Sequence, residues 1–358
     1  MFIKFIKFIK FIKFIKFIKF IKFIKFIKFI KMLNSVKIFG KNSFIKYNGY
    51  YNKRFMSIIN QIKIFEVGPR DGLQNEKKFV GTNDKINLIK SLLNAGLTNI
   101  ELTSFVSAKA IPQFSDAEIV TKEIMSYVKS NNIDANLSVL VPNEKGMNLA
   151  IKYEVKEVAI FTSASEAFNK KNINCTIEES FIRFVPIMAL AKIHNIRVRG
   201  YVSCIVECPY SGIVDPNLVI NITKRLLDIG VYEVSLGDTI GIGKPEQIDQ
   251  LFEKFSESDI DFRKIAGHFH NTNGLALENI KIAIAHGIRT FDSSVGGLGG
   301  CPYAIVKSDK DDNIKSKAIG NISTESVLTM LKSENIKLLS EINYNMIKQI
   351  SNDIKKLV

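Results

Sequence analysis

The chain has few cysteines, no long apolar run and, over its first 65 residues, no acidic side chain. Four cysteines in 358 residues are too few for the disulfide framework of a small secreted protein, so we expect a reducing compartment. No apolar run reaches the roughly 18 residues that a membrane-spanning helix needs. No Walker or G-x-G-x-x-G sequence follows the first candidate strand. With 46% apolar residues, the chain is predicted to be globular, with one large domain or two ordinary ones.

The net charge of +15 does not indicate a nucleic-acid-binding protein, because it is concentrated near the N-terminus. Residues 2–31 are ten Phe-Ile-Lys repeats with ten positive charges, and residues 32–62 add five more with no acid. From residue 63 onward, basic and acidic side chains balance. We therefore expect no nucleic-acid partner.

Two leader segments precede the predicted domain. The three-residue repeat of residues 1–31 matches neither a helical nor a strand period, so its lysines would reach every face. We interpret it as a disordered low-complexity expansion or an over-extended start before Met32, with a membrane-surface or targeting role as the alternative. Residues 32–61 have the composition of a mitochondrial transit peptide, with a disordered cytosolic leader as the alternative. The mitochondrial matrix is the predicted location.

Short apolar runs alternate with longer helical patterns from residue 62 onward. Eight successive units predict an α/β fold, a (β/α)8 TIM barrel over residues 62–330, with a helical extension over residues 331–358. An open doubly wound sheet is the less suitable alternative. In the first helix, Asn83 or Asp84 is expected to cap the start and Gly96 the end. Predicted strands cover residues 62–68, 99–105, 136–142, 157–163, 197–203, 233–239, 266–271 and 290–296, and predicted helices cover residues 83–96, 176–194, 216–229, 245–258 and 275–286.

Polar side chains gather at the ends of these strands, where barrel enzymes place their catalytic groups. They are Arg70, Asp71 and Gln74 after strand one, Glu101 and Ser104 on strand two, Arg199 and Tyr201 on strand five, Asp238 on strand six, and His268 and His270 on strand seven.

The segment HFHNTNG (268–274) is a candidate metal site. Alternation along a strand points His268 and His270 to one side, and barrel closure brings strand one, with Asp71, close to them. Imidazole and oxygen ligands without a thiolate suit Mg²⁺ or Mn²⁺, with Zn²⁺ as a third option. A structural histidine pair is the alternative. His194 and His286 lie near helix C-termini and are interpreted as structural.

The cysteines fall into two groups. Cys301 follows four glycines within six residues, so a flexible loop can present its thiol over the mouth of the barrel as a proton donor or nucleophile. A half-buried structural cysteine is the alternative. Cys204 and Cys208 do not have a standard zinc spacing, and we interpret both as structural.

Several segments together resemble the hydroxymethylglutaryl-CoA lyase family. The similarity runs from about Ile62 to Leu331, and its most specific part is the glycine-rich Cys-Pro-Tyr-Ala loop. The segments are FEVGPRDGLQNEK (65–77), IELTSFVS (100–107), KKNINCTIEESFIRF (170–184), RVRGYVSC (197–204), SLGDTIGIG (235–243), DSSVGGLGGCPYA (292–304) and GNISTESVLTML (320–331).

The resemblance implies a metal-dependent carbon–carbon lyase. Such an enzyme splits 3-hydroxy-3-methylglutaryl-CoA into acetyl-CoA and acetoacetate, in leucine degradation and ketone-body formation. An acyl-CoA substrate, a divalent cation and a homodimer are expected. Either Asp238 or Asp71 is suited to accept the hydroxyl proton. By correspondence with the family's segments, Asp71, His268, His270 and Asn321 would be metal ligands, Arg70, Cys301, Asp238 and Glu101 catalytic residues, and Arg70, Gln74, Ser104, Arg199 and Tyr201 substrate contacts.

Two features depart from the family's pattern. Asn271 replaces an aspartate that could orient a ligating imidazole, so we expect weaker metal binding or altered activity. Residues 305–315 form a polar, charged insertion before Asn321, expected to be a surface excursion, with impaired closure of the cysteine loop as the alternative.

Two other functions compete with the lyase interpretation. A Claisen-type synthase that condenses acetyl-CoA with a 2-oxo acid would use the same Arg-Asp and H-x-H arrangement. A catalytically impaired barrel would act only as a binding protein. The Cys-Pro-Tyr-Ala loop disfavours the synthase, and the presence of every expected ligand disfavours the impaired barrel.

Overall fold

The computed structural model describes residues 61–300 and 320–358, and the backbone of two strands between them. The N-terminal repeat and all but the last residue of the predicted transit peptide lie outside the described residues. Eight parallel strands close into a barrel in which each strand pairs with the next, so the predicted barrel is confirmed. The strands are β1 (Lys63–Glu66), β2 (Asn99–Ser104), β3 (Asn136–Leu140), β4 (Glu157–Ser163), β5 (Arg197–Ser203), β6 (Glu233–Asp238), β7 (Ile265–Phe269) and β8 (Thr290–Ser293).

Helices follow the strands along the chain. The five predicted helices are present, and α2 to α4 were not identified from the sequence. The predicted cap of the first helix is wrong: Gly81 is its N-cap, and Asn83 and Asp84 lie inside the first turn. Gly96 follows its end at φ +93, as expected of a C-terminal glycine. The helices are α1 (Thr82–Asn94), α2 (Ala117–Ser130), α3 (Glu144–Lys152), α4 (Glu166–Ile173), α5 (Ile177–His194), α6 (Pro216–Asp228), α7 (Pro245–Ser256), α8 (Ala276–Ala285), α9 (Thr324–Ser333) and α10 (Tyr344–Leu357).

The barrel has an apolar outside and a charged inside. Along β8, Phe291 belongs to the apolar core, whereas the next residue, Asp292, pairs with Arg199 of β5. Arg199 is fully buried and also pairs with Glu233 of β6. Because alternate side chains of a strand face opposite ways, each strand contributes to both layers. The charged layer therefore lies directly beneath the strand ends that carry the candidate site.

The C-terminal segment is tied to the start of the barrel. The Ile62 N–H donates to the Lys337 carbonyl at 2.8 Å, and the Leu339 N–H donates to the Ile62 carbonyl at 2.8 Å. Helix α9 runs across the predicted boundary between residues 330 and 331. No helix in the described part of the chain is both long and apolar enough to span a membrane.

The predicted insertion contains two antiparallel strands. Ile305–Ser308 pairs with Asp311–Lys317, between the glycine-rich loop and Asn321. Its expected position at the surface remains a prediction.

Candidate active site and metal centre

A short π-helical turn, Gly68–Gly72, follows β1 and carries Arg70 and Asp71. It is held by Glu66, whose Oε1 accepts the Gly68 N–H at 2.8 Å. A Cβ at position 68 would lie 2.5 Å from that oxygen, so a larger residue would have to displace the Glu66 carboxylate. The turn therefore sends two adjacent charged side chains to the C-terminal end of the barrel.

Asp71, His268 and His270 converge as the sequence predicted, and one candidate ligand atom from each lies within 4.8 Å of the others. The Nε2 atoms of the two histidines are 3.2 Å apart, and His268 Nε2 is 3.8 Å from Asp71 Oδ2. Strand β7 ends at Phe269, so His270 lies one residue beyond it, where its backbone pairs with Asn321.

The electrostatics of this triad fit a divalent cation. Asp292 Oδ2 lies 3.0 Å from His268 Nδ1, so a proton held there leaves Nε2 as a free lone pair. Burial lowers the pKa of His270 to about 4, which keeps this imidazole neutral near pH 7. Burial would raise the pKa of Asp71, but Arg70 and the two histidines outweigh it and lower the pKa to about 2. Two imidazoles and one carboxylate in close contact form a donor set that a divalent cation can bind.

Asn321 also reaches this centre. Its Nδ2 donates to Asp71 Oδ2 at 2.7 Å and to the Leu298 carbonyl at 3.1 Å. The amide nitrogen therefore faces Asp71, and a ligand role would require the amide oxygen there instead. That role stays a prediction.

Arg70 is held rigidly beside the triad. Its Nε donates to Glu101 Oε2 at 2.6 Å and its Nη1 to Asp71 Oδ1 at 2.7 Å. The Tyr201 hydroxyl donates to the same Glu101 oxygen at 3.1 Å. Burial alone would lower the pKa of Arg70, but Glu101 and Asp71 hold it above its ordinary value. The result is a fixed, permanent cation suited to an anionic oxygen.

A cavity of about 870 Å³ opens above these groups. Arg70, Asp71, His268 and His270 line it, and apolar side chains that include Leu140, Phe161, Phe168 and Phe184 form part of its wall. An apolar cavity with a few convergent polar groups is the usual form of a small-molecule site.

The HMGL-like family matches residues 61–354, which is most of the chain. The chain belongs to the HMGL-like family. It is 45% identical over 270 residues to hydroxymethylglutaryl-CoA lyase of Pseudomonas mevalonii, covering 75% of this chain and 84% of that protein. It is 47% identical over 272 residues to the mitochondrial hydroxymethylglutaryl-CoA lyase of Homo sapiens, covering 76% of this chain and 78% of that protein.

Solved structures of HMGL-like proteins superpose on the chain. The hydroxymethylglutaryl-CoA lyase from Pseudomonas aeruginosa gives a TM-score of 0.74 at 42% identity, covering 83% of this chain and 93% of that one. A lyase from Acinetobacter baumannii, in complex with coenzyme A and 3-methylmalate, gives 0.73 at 32% identity, covering 84% and 92%. The resemblance stated from the sequence is therefore confirmed.

The residues predicted from the HMGL-like resemblance differ in whether they line the cavity or lie behind its wall. Gln74 lines the cavity, and Glu101 supports Arg70 from behind. Among the described residues, the cavity lining also lacks Ser104, Arg199, Asp238 and Asn321. The hydroxyl of Ser104 lies 3.5 Å from the Leu140 carbonyl. Asp238 Oδ2 accepts the Gly243 N–H at 2.9 Å, and burial raises its pKa to about 6.

Asp292 is the functional candidate that sequence reasoning missed. It joins His268 to Arg199, whose Nη2 donates to Asp292 Oδ1 at 2.7 Å. Ser235 also donates to Asp292, at 2.7 Å. The register, in which Asp292 pairs with His268, could have revealed it once β7 and β8 were placed side by side.

The side chain of Asn271 contacts the backbone of the next helix, and its expected effect on metal binding or activity stays a prediction. Asn271 Oδ1 accepts the Ala276 N–H at the start of α8, 3.2 Å away. Asp292 is the carboxylate that lies next to a candidate metal-binding imidazole, that of His268.

Cys301 lies outside the described residues. The loop before it is described: Gly299 and Gly300 have φ values of +124 and +111, which other residues rarely adopt.

Proposed function

We propose that this chain cleaves 3-hydroxy-3-methylglutaryl-CoA into acetyl-CoA and acetoacetate. The observation that carries the proposal is the convergence of Arg70 and the Asp71–His268–His270 triad at the floor of one cavity. The names of the bacterial and human relatives, at 45% and 47% identity, support the same substrate. The coenzyme A bound to the related Acinetobacter protein supports an acyl-CoA ligand.

The triad would hold a divalent cation, which we propose to be Mg²⁺ or Mn²⁺ because nitrogen and oxygen donors without sulfur suit these ions. Bound there, such an ion would supply Lewis-acid chemistry that lowers the pKa of a substrate alcohol.

Arg70 is proposed to stabilise the negative oxygen that develops as the thioester carbon leaves. Its guanidinium is already oriented by Glu101 and Asp71, so no rearrangement is needed when charge develops. Tyr201 supports it, with its ring centroid 5.4 Å from the guanidinium carbon.

Position in the site favours one of the two carboxylates considered as the acceptor of the hydroxyl proton. Asp71 lines the cavity, whereas Asp238 holds the loop of Gly243 and is not among the described lining residues. Reach comes before pKa in choosing a base, so we propose Asp71. The thiol of Cys301 is proposed to protonate the enolate carbon, which completes acetyl-CoA. Asp238 remains a prediction as a catalytic residue.

The decisive assay is acetoacetate release from 3-hydroxy-3-methylglutaryl-CoA. We expect release with Mg²⁺ or Mn²⁺ and its loss after chelation. Formation of free coenzyme A from acetyl-CoA and a 2-oxo acid would support the synthase instead. Cation binding without either reaction would support the impaired barrel.

Location and assembly extend the proposal. The plant and human relatives are named as mitochondrial, whereas bacterial relatives have similar identity. We propose the mitochondrial matrix, with residues 32–61 removed on import, and a homodimer. N-terminal sequencing of the protein isolated from cells tests the first, and light scattering of the purified protein tests the second.

A further inference from the structure

A second cluster of nucleophilic side chains lies beside the barrel mouth. Cys204 directly follows β5, and Cys208 lies in the two-residue strand Glu207–Cys208, which pairs with Gly212–Ile213. The two cysteines are 0% and 1% exposed, and their thiols contact each other as donor and acceptor. A pair of adjacent thiols allows chemistry that an isolated buried cysteine does not.

Several hydrogen-bond donors converge on the Cys208 sulfur. The Ser165 hydroxyl is 3.0 Å away and the Tyr210 N–H 3.4 Å away. The hydrogen bond from the Cys204 thiol has the largest effect on Cys208, and these donors and the Ser211 hydroxyl add to it. Together they lower the pKa of Cys208 to about 4, although burial would raise it. Donors aimed at one sulfur stabilise its thiolate, which is the reactive form of cysteine.

Burial has the larger effect on Cys204. It outweighs the hydrogen bonds with Ser163 and Thr239 and raises the pKa of the Cys204 thiol well above its ordinary value, so this thiol is the donor to Cys208. One thiolate and one neutral thiol in contact are the arrangement of an attacking and a resolving cysteine.

We propose that Cys208 is a peroxide-reactive thiolate and that Cys204 resolves it, so that the pair forms a reversible disulfide. The Cys208 sulfur attacks one oxygen of hydrogen peroxide and breaks the O–O bond, giving a sulfenic acid and hydroxide, which takes up a proton to become water. The Cys204 sulfur then attacks the Cys208 sulfur. The S–S bond forms, the S–O bond breaks, and the departing hydroxide takes the Cys204 proton. Two thiols lose two electrons, and a dithiol reductant returns them.

The cover over this pair is thin enough for a small oxidant. The hairpin has only two residues in each strand. Tyr210 in its turn is 40% exposed, and Ile213 in its second strand is 80% exposed. Ser211, which contacts the Cys208 sulfur, is itself exposed.

The pair is connected to the cavity through its neighbours. The Cys204 N–H donates to the Thr239 hydroxyl at 2.8 Å, and both Thr239 and Ser203 line the cavity. Formation of the disulfide would move the end of β5 relative to this wall. The inference goes beyond the proposed lyase activity and does not depend on it.

Mass spectrometry of the full-length protein tests the proposal without an activity assay. Trypsin separates the cysteines, because residues 172–183 contain Cys175, residues 200–224 contain both Cys204 and Cys208, and residues 290–307 contain Cys301. The protein is treated with hydrogen peroxide, free thiols are alkylated, and the digest is analysed without reduction. We expect the peptide of residues 200–224 to lose two hydrogens, to escape alkylation and to recover both thiols with dithiothreitol.

Two variants and one control make the test specific. Cys208→Ser is expected to leave Cys204 fully alkylatable, and Cys204→Ser to stop Cys208 at a sulfenic acid that dimedone traps. Cys175→Ser, which removes the third described free cysteine, should form the disulfide as the wild type does. The proposal is overturned if both thiols of residues 200–224 remain alkylatable at a peroxide dose that oxidises glutathione in the same tube. It is equally overturned if Cys208→Ser leaves the oxidation of Cys204 unchanged.

Discussion

Asp292 Oδ2 lies 3.0 Å from His268 Nδ1, on the side of the imidazole opposite the candidate metal centre. Arg199 holds the carboxylate from below. Burial would raise the pKa of Asp292, but its contacts, mainly the positive charge of Arg199, outweigh this effect, and the pKa is lowered. A partner on one ring nitrogen determines which tautomer the histidine adopts and where the other nitrogen points.

Asp292→Asn should therefore weaken metal binding and turnover together, by about 10- to 100-fold. Calorimetric titration with Mn²⁺ and the rate of acetoacetate release would measure the two effects. Asp249→Asn is a matched control, because Asp249 pairs with His286 at 2.6 Å outside the site. Wild-type affinity and turnover in a folded Asp292→Asn protein would refute the role of this contact.

Arg70→Lys should lower kcat by about 10²- to 10³-fold, in the range found when a donor to a developing oxyanion is removed. Lysine keeps the charge but cannot hold Glu101 and Asp71 with separate nitrogens of a planar group. Steady-state kinetics give kcat and KM separately. Arg263→Lys, at a side chain 82% exposed, should change neither. A fall confined to affinity, with kcat intact, would assign Arg70 to ground-state binding only.

Gly241→Ala should disturb the metal centre through His270. A Cβ at this position would lie 2.8 Å from both the backbone and the Cβ of His270. Gly274→Ala is a close control, because Gly274 also has a positive φ but has no atom within 4 Å of the added carbon. Both variants should lose roughly 1–2 kcal/mol of stability from backbone strain. Only Gly241→Ala should bind Mn²⁺ more weakly, and equal Mn²⁺ affinity in the two variants would contradict the prediction.

Glu66 links the turn that carries Arg70 to the C-terminal part of the chain. Its Oε2 accepts the Thr324 hydroxyl, and burial raises its pKa to about 7. A raised carboxylate pKa means that the folded state binds more protons than the unfolded state between about pH 4.5 and 7. The free energy of unfolding therefore falls as pH rises through this window.

Glu66→Gln should remove this pH dependence. The free energy of unfolding of the variant, relative to that of the wild type, should rise by on the order of 3 kcal/mol from pH 5 to pH 8. Urea unfolding of both proteins at the two pH values measures the difference. A variant whose stability relative to the wild type is the same at pH 5 and pH 8 would show that Glu66 is not protonated on folding.

The sequence predicts the barrel and the convergence of Asp71, His268 and His270 well because both depend on local patterns. Strand-end positions identify Asp71 and His268 without knowledge of the packing. The contact of Asp292 with His268 and the burial of Arg199 could not be predicted in this way, since both depend on which side chains meet across the barrel interior. That pairing follows from strand register, which a single sequence does not specify. For the same reason, the chemistry of Cys208 required the placement of Ser165, which lies 43 residues away in sequence.

The four histidines of the chain allow the most direct test of the central claim that Asp71, His268 and His270 hold a catalytic divalent cation. Mn²⁺ binding and acetoacetate release are measured for His268→Ala/His270→Ala and for a double variant of the remaining two, His194→Ala/His286→Ala. The account predicts that the first variant loses both properties while the second keeps them. Acetoacetate release at the wild-type rate from the folded His268→Ala/His270→Ala protein, or from the wild type after chelation, would contradict it.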